Sequence, residues 1–331
     1  MIELAGRPHR LQWVDWMKVI SIYFIIAGHC WVPYNKYIYV FSVPCFYILS
    51  GFLSKKEDDS YIFWKKTWWN LCLPMCLYFF INILFQFIVQ LSKGNFRIEY
   101  IYQAPLMAAI GMQGQDCEAG GLKAMWFVYT LVLCKILLQY SYLLHKQKLF
   151  LVVFSAFCLI STYLLHVKGI VVYNSFVDLL LAMPFFSIGF LLSPYKYYLS
   201  NLSVYKVLFL AIIGIVGVWL CGTYNEIVML YRCSYGSSIL LCLVGALCGT
   251  SYIYGISRLF QSYLSDYVRV IGGGTLVILG LHFMIIQIIN HFTDIHGLWL
   301  YLESFVILLS FIPIIRFIKK YIPVLYGKSR L

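Results

Sequence analysis

Lys18 and His29 stand 11 residues apart in the first apolar stretch of the chain. A helix turns about 100° and rises about 1.5 Å per residue, so this spacing puts both on one face, roughly 16 Å apart along the axis. One stripe then links a cation near one helix end to an imidazole well inside the other half. An imidazole that titrates near neutrality is suited to take a proton from a hydroxyl. A lysine can hold a phosphate as a point charge. Asp15, three residues before Lys18, can pair with it. The plain alternatives are a snorkelling lysine and a hydrogen-bonded core histidine, and the shared face weighs against both.

Further candidates follow along the chain. Ser50-Gly51-Phe52 is a small-residue pair where a helix or a ligand can approach closely. Pro44, just before it, predicts a kink. Gly272-Gly273-Gly274-Thr275 opens another apolar stretch, with Arg269 beside it and His282 two turns deeper. A glycine-rich helix start can receive phosphate on free N–H groups, although this triplet is no nucleotide fingerprint and a flexible loop end is the simpler reading. His282 is a second imidazole within an apolar run. Lys66, Trp126-Phe127, Asp178 and Asn225 complete the set, while Lys135 reads as a packed or snorkelling lysine. The 11 cysteines show no paired metal spacing. Cys72 and Cys76 share a helix face without a His to complete a set, most others read as small apolar packers, and a Cys117–Cys233 bridge is open.

The elements that must position these residues are membrane helices. The 331 residues are 62% hydrophobic and 11% charged, against about 45–50% and about 25% in soluble domains. That excludes an ordinary soluble domain and a disordered chain. Ten stretches are long and apolar enough to span a bilayer: 13–33, 37–54, 68–91, 124–143, 149–166, 174–193, 204–222, 236–257, 271–290 and 298–318. No alternating ten-residue strands are present, so a β-barrel is not expected. Lys18 and His29 inside the first stretch, with no convincing cleavage site after it, argue against a cleaved signal peptide.

The net charge of +12 could suggest nucleic acid, but there is no long basic tail. Placing the N-terminus inside assigns 17 of the 25 Lys and Arg to cytoplasmic segments and 6 to outer ones. That bias predicts both termini cytoplasmic and an even number of spans. The reading is an all-α polytopic membrane protein of about ten helices, a single membrane-embedded domain over 1–331. Residues 100–112, in the longest outer segment, are expected to form a short re-entrant or interfacial helix.

In this order the motifs resemble the bacterial acyltransferase family 3, integral-membrane O-acyltransferases of surface polysaccharides, and its fucose 4-O-acetylase-like branch looks nearest. Asp15, Lys18 and His29 match the family's opening Asp, basic residue and His, with Lys where Arg is usual. Pro44 with Ser50-Gly51-Phe52, Lys65-Lys66 with Pro74, Trp126-Phe127, Pro184-Phe185-Phe186 with Gly189, and Asn225 with Gly236 follow collinearly. Gly272, Thr275 and His282 match the last motif loosely.

The resemblance implies transfer of an acyl group, with acetyl expected, from cytoplasmic acetyl-CoA to a sugar hydroxyl of a surface polysaccharide or its lipid-linked precursor. It implies an inner-membrane enzyme with no metal and no nucleic-acid partner. Lys18, Lys66, Ser50 and Arg269 would then bind the donor. His29 would act as general base or as an acylated nucleophile, with Lys18 assisting at the donor. His282 would orient the acceptor or stabilise the oxyanion, and Trp126 and Asn225 would hold the sugar. The rival reading is a non-catalytic glycan or solute transporter or flippase, in which buried Lys and His serve a transport path. A scaffolding subunit is the third.

Overall fold

A computed structural model describes residues 11–113, 122–144, 146–263 and 265–327. Cys117, and the basic residues at both chain ends that entered the charge count, lie outside the described residues. The chain is helical throughout, and among the described residues β-pairing is limited to the isolated bridges Met112–Asn174 and Met229–Ser234.

The helices are α1 (Gln12–His29), α2 (Asn35–Tyr39), α3 (Ser42–Leu53), α4 (Ser60–Thr67), α5 (Leu73–Ser92), α6 (Tyr100–Ala109), α7 (Trp126–Ser141) and α8 (Gln147–Val167). They continue with α9 (Ser175–Leu192), α10 (Lys196–Ser200), α11 (Val204–Tyr224), α12 (Ile239–Phe260), α13 (Asp266–Gly273), α14 (Thr275–Phe292) and α15 (Trp299–Tyr321). Nine helical segments among the described residues are long and apolar enough to cross a membrane. With backbone hydrogen bonds closed inside each helix, exposed apolar faces such as Val152, Phe157 and Ile160 of α8 suit lipid. The protein is an all-α polytopic membrane protein.

The tenth expected span, α1, is too polar to count among those nine. Its place in the bundle explains this. Eleven of its 18 residues are buried, Asp15 among them, and it packs against α3, α12, α13, α14 and α15. A helix enclosed by other helices can carry Asp, Lys and His that a lipid-facing helix could not. By contrast α8 buries only Leu151, Cys158 and Thr162, and lies at the periphery.

Close crossings fix the arrangement. A Cβ on Gly189 would lie 1.8 Å from the Ile48 carbonyl oxygen, and one on Gly51 would lie 2.0 Å from that of Phe186. The α3 and α9 backbones therefore touch at these two glycines, the small-residue contact expected of membrane helices. Gly214 brings α11 onto the α12 backbone at Cys248 and Tyr252 in the same way.

Three local expectations change. The stretch 37–54 divides into α2 and α3, with the break at Val40–Phe41 rather than at Pro44. Pro44 sits in the first turn of α3, where its missing N–H leaves no intrahelical bond unmade, so it produces no kink. The stretch 68–91 begins earlier, since α4 runs through a π turn at Trp68–Cys72 directly into α5. The glycine triplet ends α13, and Gly274 separates it from α14. The expected short helix at 100–112 is α6.

A candidate acyl-transfer site along α1

His29 ends α1 and faces His282, in the middle of α14. Their ring centres are 5.1 Å apart, and both rings lie against Phe283, at 4.3 and 4.8 Å. Two imidazoles separated by 253 positions in the sequence are thus brought together in the bundle. His282 is fully buried, and its Nδ1 lies 2.8 Å from the Ile278 carbonyl oxygen. A carbonyl only accepts, so Nδ1 must carry the proton. In the neutral ring Nε2 is then a bare lone pair, and it has no hydrogen-bond partner. His29 is half-buried at the end of α1.

The other pole of the site lies at the start of α1. α3 runs back along α1, so that Phe52 packs on Trp13 with ring centres 5.6 Å apart. Beyond this contact is a cleft of about 330 Å³ with Lys55, Lys66 and Lys135 in its walls, together with Ser54, Asn70 and Gln139. Lys66 is exposed and donates to Glu57 Oε2 at 2.7 Å. Lys135 donates to Ser54 Oγ at 3.2 Å. Gln139 spans to the backbone of Glu57, donating through Nε2 at 2.6 Å and accepting through Oε1 at 3.2 Å. The arrangement is a polar cleft carrying three cations and one carboxylate.

Lys18 is half-buried on α1 between the two poles. Gly272 packs against the backbone of Asp15, which holds α13 on the first turn of α1. The glycine triplet itself is filled: a Cβ at Gly273 would meet the Tyr326 hydroxyl at 2.5 Å, and one at Gly274 would meet Ile315 at 2.6 Å. Close packing, rather than room for a phosphate, accounts for these glycines. Arg269 is exposed on α13 and bonds to Asp266 at 3.3 Å. Ser50 is half-buried one residue before the Gly51 crossing, and its carbonyl accepts from Ser54 Oγ at 2.8 Å.

Trp126 begins α7 in an aromatic group with Phe127 and Tyr231, at 6.3 and 6.5 Å, and Tyr231 continues it to Tyr173 at 6.4 Å. Asn225 is buried and committed to its own loop. Its Nδ2 donates to the Tyr235 carbonyl at 2.8 Å, while Oδ1 accepts from Ser237 Oγ at 3.0 Å and from the Ser238 N–H at 2.9 Å. In that loop, burial pushes the Cys233 thiol up to about 12, and the thiol contacts Thr162 at 3.6 Å. Asp178 is buried and accepts from the Gln113 amide. These three residues pin the loops at the His29 end of the bundle.

Two residues escaped the sequence reading. Lys135, which reads from the sequence as a packed or snorkelling lysine, lines the cationic cleft. Glu303, which the sequence reading does not single out, is buried in α15. In both cases the available signal was a charge inside an apolar run. Among the described residues no three His, Cys, Asp or Glu side chains converge as a metal site.

A family profile for an acyltransferase domain matches residues 11–318. The chain belongs to acyltransferase family 3, and it is a membrane acyltransferase. No curated protein and no solved structure matches it.

Proposed function

We propose that this acyltransferase moves an acetyl group from cytoplasmic acetyl-CoA to a sugar hydroxyl of a surface polysaccharide or its lipid-linked precursor. It would do so in the cytoplasmic membrane with both termini inside, as a member of the fucose 4-O-acetylase-like branch. The observation that carries this reading is the paired His29 and His282 on the central polar helix system, one helix length from a cationic cleft.

In this mechanism the polyanionic part of the donor rests at the basic end, held by Lys66, Lys135 and Lys55, with Lys18, Arg269 and Ser50 as further contacts. The thioester reaches along α1 to His29. His29 removes the proton from the acceptor hydroxyl as its oxygen bonds to the thioester carbonyl carbon. The carbon–sulfur bond then breaks, and the leaving thiolate takes from His29 the proton that came from the hydroxyl. With its Nδ1–H spent on Ile278, His282 offers an acceptor rather than a donor. That supports a role in orienting the hydroxyl or the His29 N–H, and speaks against its serving as an oxyanion donor. Trp126 would lie against the sugar, and Asn225 would keep the neighbouring loop in shape for it.

Thiol release from acetyl-CoA by the purified protein in nanodiscs, with surface glycan fragments as acceptors, tests the reading. Acceptor-stimulated release that disappears in His29→Ala supports it. Release by a well-folded His29→Ala protein at the wild-type rate would refute the mechanism.

A further inference from the structure

The cationic cleft beside the start of α1 contains one residue whose charge runs against the rest. Lys55, Lys66 and Lys135 line it, and Glu57 stands among them, its Oε2 bonded to Lys66 Nζ at 2.7 Å. Three ammonium groups around one cleft repel one another, and a carboxylate beside them offsets that repulsion.

The Glu57 carboxylate is not what holds its loop. Residues 54–59 join α3 to α4 and are fixed at three other points. Ser54 Oγ donates to the Ser50 carbonyl at 2.8 Å and accepts from Lys135 at 3.2 Å. Gln139 grips the Glu57 backbone on both sides, at its N–H and at its C=O. Asp59 caps α4 by accepting from the Tyr61 N–H at 2.7 Å. The carboxylate can therefore swing off Lys66 while the loop stays in place. The pair is also within reach of solvent, with the Lys66 side chain 50% exposed and that of Glu57 30%. An ion pair this open is weak, because water and salt screen it.

A phosphate offers three acceptor oxygens and nearly two charges, so it outcompetes a lone carboxylate for an ammonium group. We infer that Glu57 is a resident counter-ion of the cleft, displaced from Lys66 by a phosphate of the acyl donor and returning to Lys66 as the spent carrier leaves. Glu57 then sets how tightly the donor is held. This rests on the reading of the cleft as the donor's anion site.

The test is direct binding, independent of turnover. The full chain is placed in nanodiscs of phosphatidylcholine, which keeps anionic head groups away from the cleft, and titrated calorimetrically with coenzyme A. Glu57→Gln keeps the size of the side chain and removes its charge. Its Kd for coenzyme A is expected to fall about fivefold at low salt, the scale of one half-exposed ion pair. Glu57→Ala should tighten binding in the same direction, and melting temperatures check that both variants fold. The gain should fade at about 1 M salt, where charges are screened beyond about 3 Å. Asp58→Asn removes the same charge one residue on, outside the cleft, where the carboxylate pairs with Lys56 at 3.8 Å. Its Kd should match wild type. The inference is overturned if both Glu57 variants bind coenzyme A no more tightly than wild type does. It is equally overturned if Asp58→Asn tightens binding as much, since net charge alone would then account for the gain. Absence of binding by wild type and every variant would refute the donor cleft itself, whereas wild-type binding that the Glu57 variants leave unaltered refutes only the counter-ion role.

Discussion

The imidazole of His29 is the residue on which the chemistry turns. General-base catalysis contributes roughly 10²–10⁴-fold, so His29→Ala is expected to cut acetyl transfer by at least about a hundredfold. The variant should still insert, with its melting temperature near wild type, because His29 is half-buried at a helix end. Rapid acid quench with radiolabelled acetyl-CoA distinguishes a base from a nucleophile: no labelled enzyme should form, whereas an acyl-histidine would carry label. At the other pole, Lys135→Met should raise the KM for acetyl-CoA about tenfold with little change in kcat, the scale of one charge-assisted hydrogen bond. Lys18→Ala should act in the same direction. An unchanged KM in Lys135→Met would remove that residue from the donor cleft. The sequence made His29 and Lys18 legible because helical spacing alone put them on one face. It did not expose Lys135, because a single lysine in an apolar run is ordinary until Ser54 and Lys66 are seen beside it.

At the scale of elements, the α3–α9 crossing admits no side chain. Gly189→Val would force a branched side chain into the Ile48 backbone and is expected to cost at least the ~1–3 kcal/mol of overpacking. The measurement is a fall in melting temperature and in the yield of monodisperse protein, and a wild-type melting curve would contradict the crossing. Asn225→Ala removes three hydrogen bonds that close the 225–238 loop, so proteolysis within that loop should speed up while the helices stay protected. Element ends were largely readable because apolar runs and polar hinges alternate so plainly. The break between α2 and α3 was not readable. Nothing apolar or polar changes at Val40–Phe41, and close packing of Val40 on Gly245 and of Phe41 on Gly249 of α12 accompanies it.

For the molecule as a whole, the charge bias makes a prediction about topology. Reporters fused after residue 34 should be active outside the cytoplasm, and those fused after residue 57 inside it, as expected from Lys55, Lys56, Lys65 and Lys66. The reverse pattern would overturn the orientation. Composition and hydrophobic run lengths determined by themselves that this is a helical membrane protein, because a chain this apolar can satisfy its backbone in lipid only within helices or a closed barrel. Collinear motifs determined its family. Only the tertiary structure decided that α1, with its Asp, Lys and His, belongs at the centre, that His282 comes to meet His29, and that Glu303 is left buried without a partner. Spacing along one helix reports a face. It does not report what another helix, hundreds of residues away, brings to that face. That pairing is set by which small residues let backbones approach, and such contacts exist only once the bundle has packed.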